Sequence, residues 1–428
     1  MRLPGAERAV LGDPRALWLF AIIVVRRVAG AAFPVALLIA VADARGLVIA
    51  ASVQAVRVAV ATFSTPLRAR LIDRFGRSRV VLPQTIVAAV TLVIFVAIVG
   101  DDRAPLALIY VACALAAVTP AAVDAVIRSA WAEIGRTERQ VKLLHSVDSL
   151  LEEAGFLLGP VLASTLLLAM SPQQGLWAVT AAAVVGSLLV FASSHFRTAL
   201  RRPPAARPRV AQGMPRTWRT RLRTVVGPIA QPSLRQIVLP LVMMGASLGW
   251  LGLLVPQVAT AAAGGLDRTG YLMAAISLGG VVGGFGYALV RWRASLSTRH
   301  AVLLLAFAAP LTTAVMTWPS AWALGAVLAV SGLAVTPLYI NSYLMIDDGL
   351  PEEVRHEANT WVPVGNNVGY TIGITAAGLL TAVAPGAQTL AVAQSALAVG
   401  TVLIGCWLLR TARSVTPRTE EIAASHAT

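Results

Sequence analysis

A chain of 428 residues, 57% hydrophobic and only 13% charged, has no polar half from which a sizeable soluble domain could form. Its net charge of +15 sits on arginines at the ends of apolar runs and in alternate loops, which is a topology signal and excludes a nucleic-acid face. Cys113 and Cys406 each lie inside an apolar run, and the five histidines show no zinc-ligand spacing, so neither a disulfide framework nor a metal site is expected. No cofactor is called for, and the chain is expected to act as a monomer among membrane lipids.

Runs near the roughly 20 residues that a helix needs to cross a bilayer recur twelve times. In chain order they cover 17–41, 46–66, 80–99, 104–127, 143–169 and 175–196, then 235–261, 269–290, 300–317, 320–346, 359–383 and 387–409. The first is too long for a signal-peptide core and is expected to stay as a helix. The outward loops carry only Arg45, Arg103 and Arg268, so both termini are expected on the cytoplasmic side of the cell membrane. One inward loop is acidic, with Asp347, Asp348, Glu352, Glu353 and Glu357, but acids contribute little to orientation. The expected organisation is a tail at 1–14, a six-helix bundle at 15–196, an Arg- and Pro-rich linker at 197–234, a second bundle at 235–410 and a mobile tail at 411–428. The linker reads as lying against anionic head groups, with a short interfacial helix near Trp218.

The halves repeat. Ala117-Val-Thr-Pro120 recurs as Ala334-Val-Thr-Pro337, each in the fourth run of its half. Glu152-Glu153-Ala-Gly155-x3-Gly159 aligns with Asn366-Asn367-Val-Gly369-x3-Gly373, each in the fifth. Two echoes in register point to parallel six-helix repeats, as in secondary transporters.

An ionisable side chain near the bilayer centre costs at least about 2.5–3.5 kcal/mol on insertion scales and needs a reason. Arg26 and Arg27 interrupt the first run, Arg57 the second, and Asp148, Glu152 and Glu153 the fifth. At about 1.5 Å per residue, Glu152 and Glu153 lie roughly 14 Å above the inner end, level with Arg26. Equal depth permits pairing, either in a static neutralised cluster or in one that exchanges partners around an aqueous cavity. Glu152 shares a helix face with Asp148, Gly155 and Gly159, while Glu153 points about 100° away. Glu152 is therefore the expected carrier of a coupling proton, with Asp148 nearer the inner surface and its water. The second half offers neutral groups instead: Trp250, Gln257, Tyr339, Asn341, Asn366 and Asn367 could line a substrate cavity, or the Asn side chains could simply bridge helices. Gly279, Gly280, Gly283 and Gly284 read as a packing surface. Gly245-Ala-Ser247-Leu-Gly249 matches a hydrolase pattern, but within a span rather than at a strand-to-helix elbow, so no enzyme is expected.

The loop Pro66-Leu-Arg-Ala-Arg-Leu-Ile-Asp-Arg-Phe-Gly-Arg-Ser-Arg79 carries Arg68, Arg70, Arg74, Arg77 and Arg79 against the single acid Asp73. It resembles the loop between helices 2 and 3 of the major facilitator superfamily, G-x-x-x-D-R-x-G-R-x-R, matching at Asp73, Arg74, Gly76, Arg77 and Arg79, with Ala69 in place of the first Gly. The resemblance covers about 15–410 and implies an all-α membrane protein of twelve helices in two pseudo-symmetric bundles, with this loop latching one transport state. Gly155-x3-Gly159-Pro160 resembles the G-x-x-x-G-P motif of the antiporter branch, where close packing limits leak; plain helix packing explains the same spacing. The family's usual arginine in the fourth span, in its R-x-x-x-G pattern, is missing, since 108–120 carries no charge. The Arg- and Ala-rich composition is similar to that of bacterial drug/proton-antiporter-type efflux members. The resemblance implies export of a small organic molecule in exchange for protons. Uptake of an anion drawn by the three arginines, or a membrane scaffold or sensor that has lost transport, are the alternatives.

Overall fold

Residues 13–135, 137–201, 232–350 and 352–425 are described by a computed structural model, and among them only helices and connecting turns occur. Most of the expected N-terminal tail and the body of the linker with Trp218 lie outside the described residues, as do the side chains of Asp73, Glu352, Glu353, Glu357 and 411–425. The chain divides into two compact units. One is Met1–Arg207 with Asp267–Ala274; the other is Pro208–Leu266 with Ala275–Thr428.

The first unit holds α1 (Pro14–Arg45), α2 (Leu47–Phe75), α3 (Arg77–Val99), α4 (Leu106–Val118), α5 (Val123–Ile134), α6 (Glu138–Ala169), α7 (Pro172–Leu189) and α8 (Ser194–Arg201). Its sharpest corners fall on Gly46 and Gly76, with φ of 87° and 85°, where only a residue lacking Cβ is unstrained. Between α4 and α5 the helix stops at residues 119–122, where Pro120 has no N–H and its ring crowds the preceding turn. Capping boxes start α6 and α7: Thr137 with Gln140, and Ser171 with Gln174, each satisfy two otherwise unpaired backbone groups. A cluster around Trp131, stacked on Phe20 at 5.1 Å, joins α1, α5 and α6. Phe196, Ala199 and Leu200 of α8 are buried in that cluster, so the segment after 196 begins as a packed amphipathic helix rather than as linker.

The second unit holds α9 (Pro232–Ala262), α10 (mostly; Thr269–Leu289), α11 (Leu296–Leu311), α12 (Ala314–Thr317), α13 (Ala321–Gly332), α14 (Val335–Gly349), α15 (Glu352–Val383) and α16 (Ala387–Ser425). The last helix runs on through the segment expected as a C-terminal tail. Its fourth span is interrupted where that of the first unit is. The Ala334-Val-Thr-Pro337 echo lies across the α13–α14 junction, as Ala117-Val-Thr-Pro120 lies across the end of α4.

Glycine decides which helices meet most closely. A Cβ at Gly155 of α6 would lie 3.0 Å from Arg27 Cβ on α1, and one at Gly159 only 2.6 Å from Ala31 Cβ. The aligned Gly369 and Gly373 of α15 face the backbone of α9 at Val242 and Ala246 just as tightly. On α9, Gly245 and Gly249 press on the backbone of α15 at Asn366 and Tyr370, so the hydrolase-like pattern is a packing surface. Gly279 and Gly283 of α10 serve the same purpose against Ala329, Gly332 and Leu333. Replacing Gly159 by leucine is expected to cost roughly 1–3 kcal/mol through overpacking, read as a lowered unfolding midpoint of the purified protein. An unchanged midpoint would show that the seam gives way.

Eleven helical segments among the described residues are long and apolar enough to cross a membrane. The expected span at 359–383 is not among them. It lies within the 32-residue α15, which is long enough, but Asn359, Thr360, Asn366, Asn367 and Thr371 dilute its apolar content. Large apolar side chains such as Phe63, Leu289, Met316 and Trp322 stand exposed on the outside, as a lipid-facing surface requires. The chain is a multi-pass membrane protein.

Candidate functional site

The turn of α1 bearing Arg26 and Arg27 is held on two sides by glycines. A Cβ at Gly186 of α7 would lie 3.1 Å from Arg26 Cα, and Gly155 of α6 faces Arg27. Two guanidiniums are thus fixed inside the first unit, where each needs an acid. Arg26 Nη2 donates to Asp124 Oδ1. Arg27 Nη2 lies 3.0 Å from Asp148 Oδ1, 3.9 Å from Glu152 Oε2 and 4.0 Å from Asp124 Oδ1. Arg27 Nη1 also donates to the Asp148 backbone carbonyl. Arg27 is the hub, linking acids from two helices. Within this connected set two guanidiniums face three carboxylates, so it carries one negative charge when every member is ionised.

Burial is distributed unevenly among the acids. Asp148 is 4% exposed, whereas the side chains of Glu152 and Asp124 are 52% and 45% exposed. This reverses the expectation that Asp148 would be the residue nearer water. The close approach of α6 to α1 lays Arg27 across Asp148, which position along the helix cannot reveal. Equal depth left open which of Arg26 and Arg27 meets which acid; Arg26 binds Asp124, and Glu152 lies 3.9 Å from Arg27. Glu153 is half-buried. Arg57 Nε donates to Gln54 Oε1 at 2.7 Å, and the buried Gln54 reaches Pro34 O at 2.5 Å.

Asp124 was not singled out by sequence reasoning, because it falls near the inner end of an apparently continuous fourth span. The break at 119–122 instead puts it in the first turn of α5, where unpaired N–H groups favour a carboxylate. Two signals marked it: Pro120 four residues earlier, and its register with Asn341 in the repeat.

Arg26 and Arg57 share the wall of a cavity of about 240 Å³ in the first unit, lined mainly by alanines, Phe33, Leu92 and Phe95, with Thr85, Cys113 and Ser187 among its polar side chains. At the end of α2, Gly76 makes the turn and Arg77 Nη1 donates to Ser129 Oγ at 3.1 Å, tying the start of α3 to α5. Arg74 lies over the Phe75 ring at 5.2 Å, and Arg79 is exposed. Arg68, just before the motif, donates at 3.3 Å to the Pro120 carbonyl, which also accepts from Gln84 Nε2 at 3.4 Å.

The neutral residues of the second unit do not converge as a group. Trp250 Nε1 donates to Leu390 O at 2.9 Å, joining α9 to α16. The buried Asn341 accepts from Tyr287 and donates to Leu296 O, both at 2.9 Å, so it bridges α14, α10 and α11. These two serve helix packing. Gln257, Tyr339 and Asn367 are half-buried, and Asn366 keeps a buried Oδ1 without a hydrogen-bond partner among the described residues.

Comparison with curated protein sequences finds no match. Solved structures match along nearly their whole length. The nucleoside transporter NupG is 13% identical with a TM-score of 0.69, covering 92% of this chain and 99% of its own. A bacterial homologue of the iron transporter ferroportin is 15% identical with a TM-score of 0.71, covering 92% and 98%. A bacterial homologue of the human lysosomal transporter Spinster is 14% identical with a TM-score of 0.64, covering 96% and 98%. At such identities the likeness is one of fold. The family model of the Major Facilitator Superfamily matches residues 17–355. With six-helix repeats, an Asp-Arg-x-Gly-Arg-x-Arg loop at the second corner and that match over most of its length, the chain belongs to the Major Facilitator Superfamily.

Proposed function

We propose that this transporter exports a small organic molecule across the cell membrane in exchange for protons, with both termini in the cytoplasm. The observation that carries the reading is the odd charge of the Arg26–Arg27–Asp124–Asp148–Glu152 set. A single excess carboxylate among fixed guanidiniums supplies a place for one proton, and Glu152 is its most open member. Asp148, covered by Arg27, holds the set together. Proteoliposomes containing a pH-sensitive dye, screened against small organic molecules, test this. Proton movement opposite to substrate is the expected result; substrate flux with no proton flux ends the coupling. Protons moving with the substrate would favour the second reading, uptake of an anion, which the pair Arg26 and Arg57 in one cavity wall supports.

In the loop, Asp73→Asn is expected to slow transport several-fold while leaving membrane insertion intact. Removing an acid makes an inward loop only more positive, so orientation holds. Wild-type flux in that variant would reduce the loop to a topology signal.

A further inference from the structure

The cavity in the first unit lies within one six-helix half, among α1, α2, α3, α4, the start of α5 and α7. We propose that it binds a small amphipathic carboxylate, with the anionic group held by Arg26 and Arg57 and the apolar body against Phe33, Leu92 and Phe95. Three observations converge. The wall combines two guanidiniums with an otherwise largely apolar lining, which suits a ligand that is charged at one end only. Arg26 uses Nη2 on Asp124. A guanidinium carries five N–H donors, so one partner does not exhaust it, and a carboxylate supplies two acceptors. Two hydroxyls also line it, Thr85, which donates to Val81 O at 2.7 Å, and Ser187 of α7, so its charged lining consists of the two guanidiniums with no acid in the wall.

Size narrows the class. An apolar cavity of roughly 150 Å³ holds a benzene ring, and this one, at about 240 Å³, leaves room for a carboxylate beside such a ring. The proposal demands nothing of the direction or coupling of transport, so it stands or falls apart from the exchange reading.

Benzoate, its neutral isostere benzamide, and inorganic phosphate are the probes, titrated against the purified full-length protein with thermal stability as readout, since a ligand of the native state raises it. Benzoate is expected to stabilise saturably, with benzamide and phosphate at least about tenfold weaker, because each lacks one half of the chemistry. Arg57→Gln removes a cation, and Ala117→Leu fills the space while keeping both charges; each is expected to raise the apparent Kd for benzoate at least about tenfold. Ala88→Leu, which lines the cavity from α3, takes the place of Ala117→Leu should that variant not fold. No saturable effect of benzoate would overturn the proposal. So would benzamide or phosphate equalling it, or an unchanged Kd in the filled variants.

Discussion

Arg27→Gln is expected to cost about 3–5 kcal/mol of stability, because it strips the covering cation from a buried carboxylate and leaves that charge uncompensated. Asp148 is 4% exposed and has Arg27 Nη2 at 3.0 Å. Its neutral counterpart Asp148→Asn is expected to cost a similar amount for the mirrored reason. The double variant Arg27→Gln/Asp148→Asn is expected to recover part of the loss, since a buried pair replaced as a pair loses much less than one broken from one side. A double-mutant cycle on unfolding midpoint and membrane yield measures the coupling. Additive losses would show that the two groups do not support one another. The same cycle run on Arg27 and Glu152, at 3.9 Å and half open, is expected to give a much smaller coupling.

Glu152→Gln is expected to abolish transport driven by a pH gradient while substrate binding and substrate–substrate exchange persist. The change keeps shape and hydrogen bonding but fixes the group in its neutral form. The remaining set, two guanidiniums and two carboxylates, is then balanced without a proton. The measurement is flux in proteoliposomes with and without an imposed gradient. Substrate still accumulated against its own gradient by the Gln variant would move the proton to Asp124, the other open acid, or end the coupling altogether.

The helices were legible because twenty apolar residues have few other uses, and the glycine spacing marked faces that would pack closely. The α15 helix was read from its flanking turns despite its asparagines. What stayed hidden depended on three-dimensional cover. Position along α6 gave the depth of Asp148 and Glu152, but not that α1 would lay Arg27 over one and leave the other open. Asp124 was obscured for a simpler reason: Pro120 ends a helix inside a run that hydropathy treats as continuous. Trp250 and Asn341 have the chemistry of ligand-binding residues, and only their partners, Leu390, Tyr287 and Leu296, show that this chemistry is used within the protein.

The seams between α1 and α6 and between α9 and α15 have a consequence at the bench. Hydrocarbon tails compete well with side chains for side chains, which is why helix association in lipid leans on close van der Waals contact rather than on the hydrophobic effect. A seam whose members meet backbone to backbone leaves no gap for a tail to enter, and brings Cα–H groups near facing carbonyls. Such contacts do not depend on whether the surrounding amphiphile is a phospholipid or a detergent. Each helix pair is therefore expected to survive extraction from the membrane, and losses on changing detergent are expected to begin elsewhere in the protein.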